Sequence, residues 1–286
     1  MKRTITILIL VVSLVVVWAS AATAASAPLW RLEGHVIWAS APDGRIKARA
    51  YSSVHLSSHP VLVVWLHGDL PPGSEPYELA QQLASFSDNI VVAAVLRPGY
   101  TDAEGDTSSG RKGLTIGDNY TVRVADDVHA VIEALKARFH SRALVLMGHS
   151  GGAGVAADLL GLHPEDADAA VLIACSCDPR GFMDRWTREH PGTPRAVPNP
   201  SLPPMDVVAR VSRKILVRMV IGTADNVVLM GPSQAYAAAL KRRGVNVRLD
   251  VVPGAGHVDV LGSDTVHNTV AEMIAAEGGK VHPPTK

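Results

Sequence analysis

Short apolar runs alternate along this chain with longer stretches whose apolar positions recur every three or four residues. Residues 61–66, 90–96, 143–147, 169–175 and 215–221 are apolar almost without a break, as strands buried on both faces should be. Residues 31–40 and 45–53 alternate only partly, as in Ile46, Ala48 and Ala50, and a Pro42-Asp43-Gly44 turn separates them. They read as an antiparallel hairpin. Helical spacing marks 75–87 through Leu79 and Leu83, and 120–139 through Val124, Val128, Val131, Ile132 and Leu135. Helices are also expected over 153–160, 233–243 and 260–276, with a last strand at 245–252. Strands alternating with helices predict an α/β fold: a mostly parallel central sheet of about eight strands with helices on both faces. Right-handed crossovers then gather the C-terminal ends of the parallel strands on one edge.

Two stretches fit neither pattern. Residues 97–119 are polar and glycine-rich, too long for a mere connector. Tyr100 or Tyr120 could face a site from there, without a signature that assigns either a role. Residues 178–204 are rich in proline and carry Phe182, Met183 and Trp186. They suit either a lid over a pocket or a surface excursion packed on the core.

The strand at 143–147 runs directly into Gly148-His149-Ser150-Gly151-Gly152, and a helix of small residues follows. A serine in a sharp strand-to-helix turn is pushed towards substrate, and the crowded backbone on either side calls for glycine. The helix start places N–H groups and a positive dipole end beside Ser150. In this context the chain resembles the α/β-hydrolase superfamily, whose nucleophile elbow has this strand–turn–helix form, and three further motifs extend the resemblance over most of the chain.

His67-Gly68-Asp69-Leu70 follows the strand at 61–66 and resembles the superfamily's His-Gly turn. The resemblance implies that the Asp69 and Gly151 N–H groups form the oxyanion hole, with the Asp69 carboxylate turned away from the developing charge. Gly222-Thr223-Ala224-Asp225 follows the strand at 215–221 and looks like the acid turn, so Asp225 is expected to orient the catalytic imidazole. Asp178, at the end of the preceding strand, is the rival position. Gly254-Ala255-Gly256-His257 follows the strand at 245–252, and the order Ser150, Asp225, His257 is the one this fold requires. His257 would act as general base and then general acid. Of the twelve histidines, His149 is read as the variable residue beside Ser150, and His129, His140 and His163 as surface or helix-end residues.

Composition narrows the partners. The 286 residues carry no formal net charge and only 5% aromatics, so neither steering nor stacking points to nucleic acid. No metal-ligand or dinucleotide fingerprint appears, and no cofactor is expected. Lys2 and Arg3, an apolar run over 5–18 and Ala22-Thr23-Ala24 predict a signal peptide at 1–24, with 25–286 as one domain working in the periplasm or outside the cell. The competing reading is an uncleaved anchor, which would give the chain its only membrane contact. Cys175 and Cys177, placed on an extended strand, would lie about 6.6 Å apart, near the limit for a disulfide. Two buried free thiols are predicted.

The expected activity is cleavage of carboxylic esters through an acyl-enzyme on Ser150, Asp225 and His257. A peptidase or amidase on the same triad is the alternative, acting on short peptides in place of small-molecule esters. The reading from a different class is a silent binding protein of the envelope, since fold alone does not prove function.

Overall fold

The computed structural model describes residues 33–69 and 76–282, so the expected leader lies outside the described residues. Among the described residues there are ten strands and seven α-helices. In chain order they are β1 (His35–Ala41), β2 (Gly44–Ser52), β3 (Val61–Leu66), α1 (Glu78–Ser85), β4 (Ser87–Asp88), β5 (Ile90–Val95), α2 (Val122–Phe139), β6 (Ala143–His149) and α3 (Gly151–Leu162). There follow β7 (Ala169–Ile173), α4 (Pro179–Glu189), α5 (Pro204–Val207), β8 (Leu216–Gly222), α6 (Met230–Arg242), β9 (Asn246–Val252), α7 (Asp264–Ala276) and β10 (Lys280–Val281).

The main sheet has eight strands in the order β1-β2-β5-β3-β6-β7-β8-β9. Only the β1-β2-β5 edge is antiparallel, and every pair from β5 to β9 is parallel. Unbroken apolar runs become inner strands because each face needs its own apolar set. On β3, Leu62, Val64 and Leu66 join the core beneath α2, α3 and α6, while Val61, Val63 and Trp65 join the core beneath α1 and α7. Burying both faces leaves the site to the sheet's C-terminal edge.

The 97–119 stretch is tied to the sheet by a buried lysine. Lys47 Nζ on β2 donates to Asp102, Glu104 and Asp106 at 2.6–2.8 Å. Burial opposes its charge, yet the three carboxylates outweigh it and raise its pKa.

Cys175 and Cys177 form a disulfide with a Cα separation of 5.2 Å, so the expectation of free thiols is corrected. The strand stops at Ile173, Ala174 turns to φ +45°, and Cys177 N–H closes on Cys175 O at 2.8 Å. The two cysteines sit in a tight turn, which shortens the spacing an extended strand would impose.

Candidate active site

The local chain around Ser150 follows from crowding. Its backbone lies at φ +54°, ψ −121°, a conformation that costs a non-glycine residue about 1–3 kcal/mol. Packing on both sides holds it there. A Cβ on Gly148 would stand 2.5 Å from Gly152 O, and one on Gly152 would stand 2.2 Å from Leu66 O. The sharp turn lifts Ser150 clear of the sheet and leaves it part-exposed.

Three loops converge on that hydroxyl. His257 Nε2 lies 2.9 Å from Ser150 Oγ, and His257 Nδ1 lies 2.8 Å from Asp225 Oδ2. The other carboxylate oxygen of Asp225 accepts from the N–H groups of Val227 (3.0 Å) and Val228 (2.8 Å). Backbone bonds from Thr223 to Val252 and from Ala224 to Ala255 pin the acid loop to the histidine loop. The rival acid stands elsewhere: Asp178 caps α4, accepting from Gly181 N–H at 2.9 Å.

Asp69 is held by more than its motif foretells. Its Oδ1 comes within 2.7 Å of where a Gly151 Cβ would be. Four donors hold the carboxylate: Arg97 at 3.0 Å, Tyr100 at 2.7 Å, Tyr120 at 2.6 Å and Gly117 N–H at 2.8 Å. Burial works against this charge, but Arg97 and the two phenols outweigh it, and the carboxyl pKa is lowered. The motif could not show this, because the three side chains come from the irregular stretch after β5 and the entry to α2. Asp69 and Arg97 side chains are 10% and 3% exposed, and removing one member of a buried pair strands the other. Arg97→Met is expected to lower unfolding free energy by about 3 kcal/mol. Urea titration checks this, and Arg97→Met with Asp69→Asn should recover most of the loss.

His149 also does more than fill a variable position. Its Nε2–H donates to the carbonyl of His257 at 2.9 Å, and the two rings lie 4.8 Å apart between centroids. Burial lowers its pKa to about 4, so a neutral ring holds the backbone of the triad histidine. His67 is pinned likewise: Nδ1–H donates to Gly68 O and Nε2 accepts from Arg97 N–H. Burial, with Arg97 adding to it, brings its pKa to about 3. The sequence carried one usable signal for His149, its place between the nucleophile and a buried strand.

A cavity of about 100 Å³ opens at Ser150 and His257. Ile116, Phe182, Val227 and Val228 supply its apolar wall, and Tyr120 and Ser176 its polar one. Phe182 thus reaches the site from the 178–204 segment, Trp186 stacks on it, and Met183 is buried in the core. Of the two tyrosines, Tyr120 lines the cavity, and Tyr100 supports Asp69 from behind.

Two clusters away from the triad gather three groups of metal-ligand type, His129-Glu133-Asp166 and Asp102-Glu104-Asp106. Each is engaged within the protein: His129 Nδ1 pairs with Asp166 at 2.9 Å, and the second cluster encloses Lys47 Nζ.

Fold and site together define a serine hydrolase of the α/β-hydrolase fold. Residues 80–276 match the Prolyl oligopeptidase family, and the chain belongs to that family. No curated protein matches it. Among solved structures it is similar to a puromycin-hydrolyzing peptidase of Mycobacterium tuberculosis, with 21% identity, 89% of this chain and 40% of that one covered, and TM-score 0.67. It is also similar to an esterase of Pyrococcus furiosus, with 17% identity, 86% and 93% covered, and TM-score 0.63. A third likeness is to dipeptidyl peptidase 4 of Porphyromonas gingivalis, with 17% identity, 85% and 35% covered, and TM-score 0.61. At such identities these likenesses speak for the fold alone. The chain spans about a third of the length of the dipeptidyl peptidase 4 and of a puromycin hydrolase it also matches (35% and 36%).

Proposed function

We propose that the protein hydrolyses carboxylic esters through a covalent acyl-enzyme, with Ser150 as nucleophile, His257 as base and acid, and Asp225 as the group that orients it. The observation that carries this reading is the unbroken chain of contacts from Ser150 Oγ through His257 to Asp225, at 2.9 and 2.8 Å. As Ser150 Oγ bonds to the carbonyl carbon, His257 Nε2 takes its proton, and Asp225 stabilises the imidazolium. The carbonyl oxygen becomes an oxyanion, which the N–H groups of Gly151 and Asp69 receive. One such donor is worth about 3 kcal/mol of barrier. His257 then returns the proton to the leaving oxygen, and the alcohol departs. Water repeats the sequence on the acyl-enzyme, releasing the acid and restoring Ser150.

The small apolar cavity at Ser150 favours short acyl groups over extended peptide backbone, which would need several placed donors and acceptors. Peptide or amide cleavage remains the second reading, favoured by the family match over residues 80–276. The similar solved structures carry both kinds of name, an esterase and peptidases. Turnover of p-nitrophenyl esters from acetyl upward, set against aminoacyl-anilides, separates the two. We expect kcat/KM at least a hundredfold higher for the short esters. Anilide turnover equal to or above it would overturn the ester reading in favour of peptidase activity.

Export belongs to the same proposal. A basic start, an apolar run and Ala22-Thr23-Ala24 form the leader at 1–24. The Cys175–Cys177 disulfide suits an oxidising compartment. Among the described residues no helix is long and apolar enough to cross a membrane. N-terminal sequencing of the protein from its native host should begin near Ala25; a mature chain still starting at Met1 would favour an anchor.

A further inference from the structure

A second hollow, about 270 Å³, adjoins the cavity at Ser150 and shares three wall residues with it, Ser176, Phe182 and Val228. Its remaining wall is unlike the first. Arg185 and Arg188, one turn apart on α4, both line it, as residues three apart on a helix share a face. Arg185 is anchored: it donates to Glu189 at 2.7 Å and to the carbonyl of Val227, and its guanidinium stands 5.6 Å from the centre of the Phe182 ring. Arg188 is exposed and has no hydrogen bond or ion pair with any described residue. The wall also carries one carboxylate, Asp178, whose Oδ1 accepts from Gly181 N–H. Leu229 and Pro232, at the start of α6, also line it, and Leu229 supplies no side-chain cap. The cavity at Ser150 and this hollow thus share a wall, and a guanidinium with no partner among the described residues lines the hollow.

Resting on the acyl-enzyme reading above, we propose that this hollow is an anion subsite. On this account the preferred substrates are acyl compounds carrying a carboxylate some atoms from the scissile carbonyl. A guanidinium binds a carboxylate through paired N–H donors. Arg185, held by Glu189 and Val227 O, fixes the helix face from which Arg188 reaches. The subsite gives the 178–204 segment a specific task, since α4 supplies Phe182 to the acyl cavity and the arginines to the hollow.

The test uses two matched pairs on the full chain. The acyl-side pair is mono-p-nitrophenyl adipate against p-nitrophenyl hexanoate; the adipate carboxylate is too distant to attack its own ester efficiently. The leaving-group pair is 4-acetoxybenzoate against 4-acetoxybenzamide. Arg188→Gln should lower the charged-to-neutral ratio of kcat/KM by about five- to tenfold in at least one pair. That lies between the worth of an exposed ion pair and that of a charge-assisted hydrogen bond. The pair that responds identifies the side on which the carboxylate sits. A smaller change in both pairs overturns the subsite.

Should the wild type cleave no ester, the ester reading fails, and binding decides the subsite alone. Ser150→Ala should then bind monomethyl adipate more tightly than methyl hexanoate, read by the fluorescence of Trp186, which stacks on Phe182. Adding Arg188→Gln should abolish the difference. Equal binding of the two ligands overturns the proposal.

Discussion

Asp225→Asn is expected to lower kcat by about four orders of magnitude while leaving the fold intact. The size follows from which atoms the amide must replace. Oδ1 of Asp225 accepts two backbone N–H groups, from Val227 and Val228. Only the amide oxygen can take that position, so the NH2 falls where Oδ2 stood, facing His257 Nδ1 at about the present 2.8 Å. Two donors cannot meet there. His257 must present Nδ1 as an acceptor and carry its proton on Nε2, where it can no longer accept one from Ser150. Circular dichroism and thermal unfolding should show a folded protein, and burst kinetics should show acylation, not product release, as the lost step. Asp178→Ala, by contrast, should cost about 1 kcal/mol through the lost cap of α4 and less than tenfold in kcat. If Asp178→Ala produced the larger fall in kcat, the acid would have been assigned to the wrong strand end.

Between pH 6.5 and pH 4 the folded protein loses on the order of 5 kcal/mol of stability through two histidines. His67 and His149 are buried and neutral, with pKa values lowered to about 3 and about 4 by loss of hydration. In the unfolded chain each takes up a proton near pH 6.5. Over that window the unfolded state therefore binds more protons than the folded one, and stability falls as pH falls. Each unit of displacement is worth about 1.4 kcal/mol per group, and the loss saturates below the folded values. Urea unfolding at pH 7 and pH 4.5 measures it. His149→Gln, which cannot titrate, should remove nearly half of the slope. A pH-independent midpoint across this range would mean that neither ring is as dry as the structure makes it.

The parts of this molecule readable in advance are those set by local rules. Two-sided burial makes β3, β5, β6, β7 and β8 continuous apolar runs. Crowding at Ser150 demands Gly148 and Gly152, whose added Cβ atoms would meet backbone at 2.5 and 2.2 Å. Glycine-bearing turns after β8 and β9 announced Asp225 and His257. What escaped depends on contacts between distant segments. The alternation of Ile46, Ala48 and Ala50 is silent on Lys47, which three carboxylates from a loop more than fifty residues away enclose. Asp69 was expected only to keep its carboxylate from the developing charge; its partners Arg97, Tyr100, Gly117 and Tyr120 lie too far along the chain for the motif to show. The cysteine pair failed for a local reason that spacing rules do not carry, the left-handed Ala174 that ends β7 early. His149 was passed over since the nucleophile motif leaves its position free, and only the returning His257 loop gives it a partner.

Exposure to a fluorophosphonate, followed by intact mass and peptide mapping, tests the central assignment most directly. The account predicts one adduct per chain, carried by Ser150, absent from Ser150→Ala and strongly slowed in His257→Ala. An adduct on another residue, undiminished labelling of Ser150→Ala, or no labelling of well-folded wild type would contradict it.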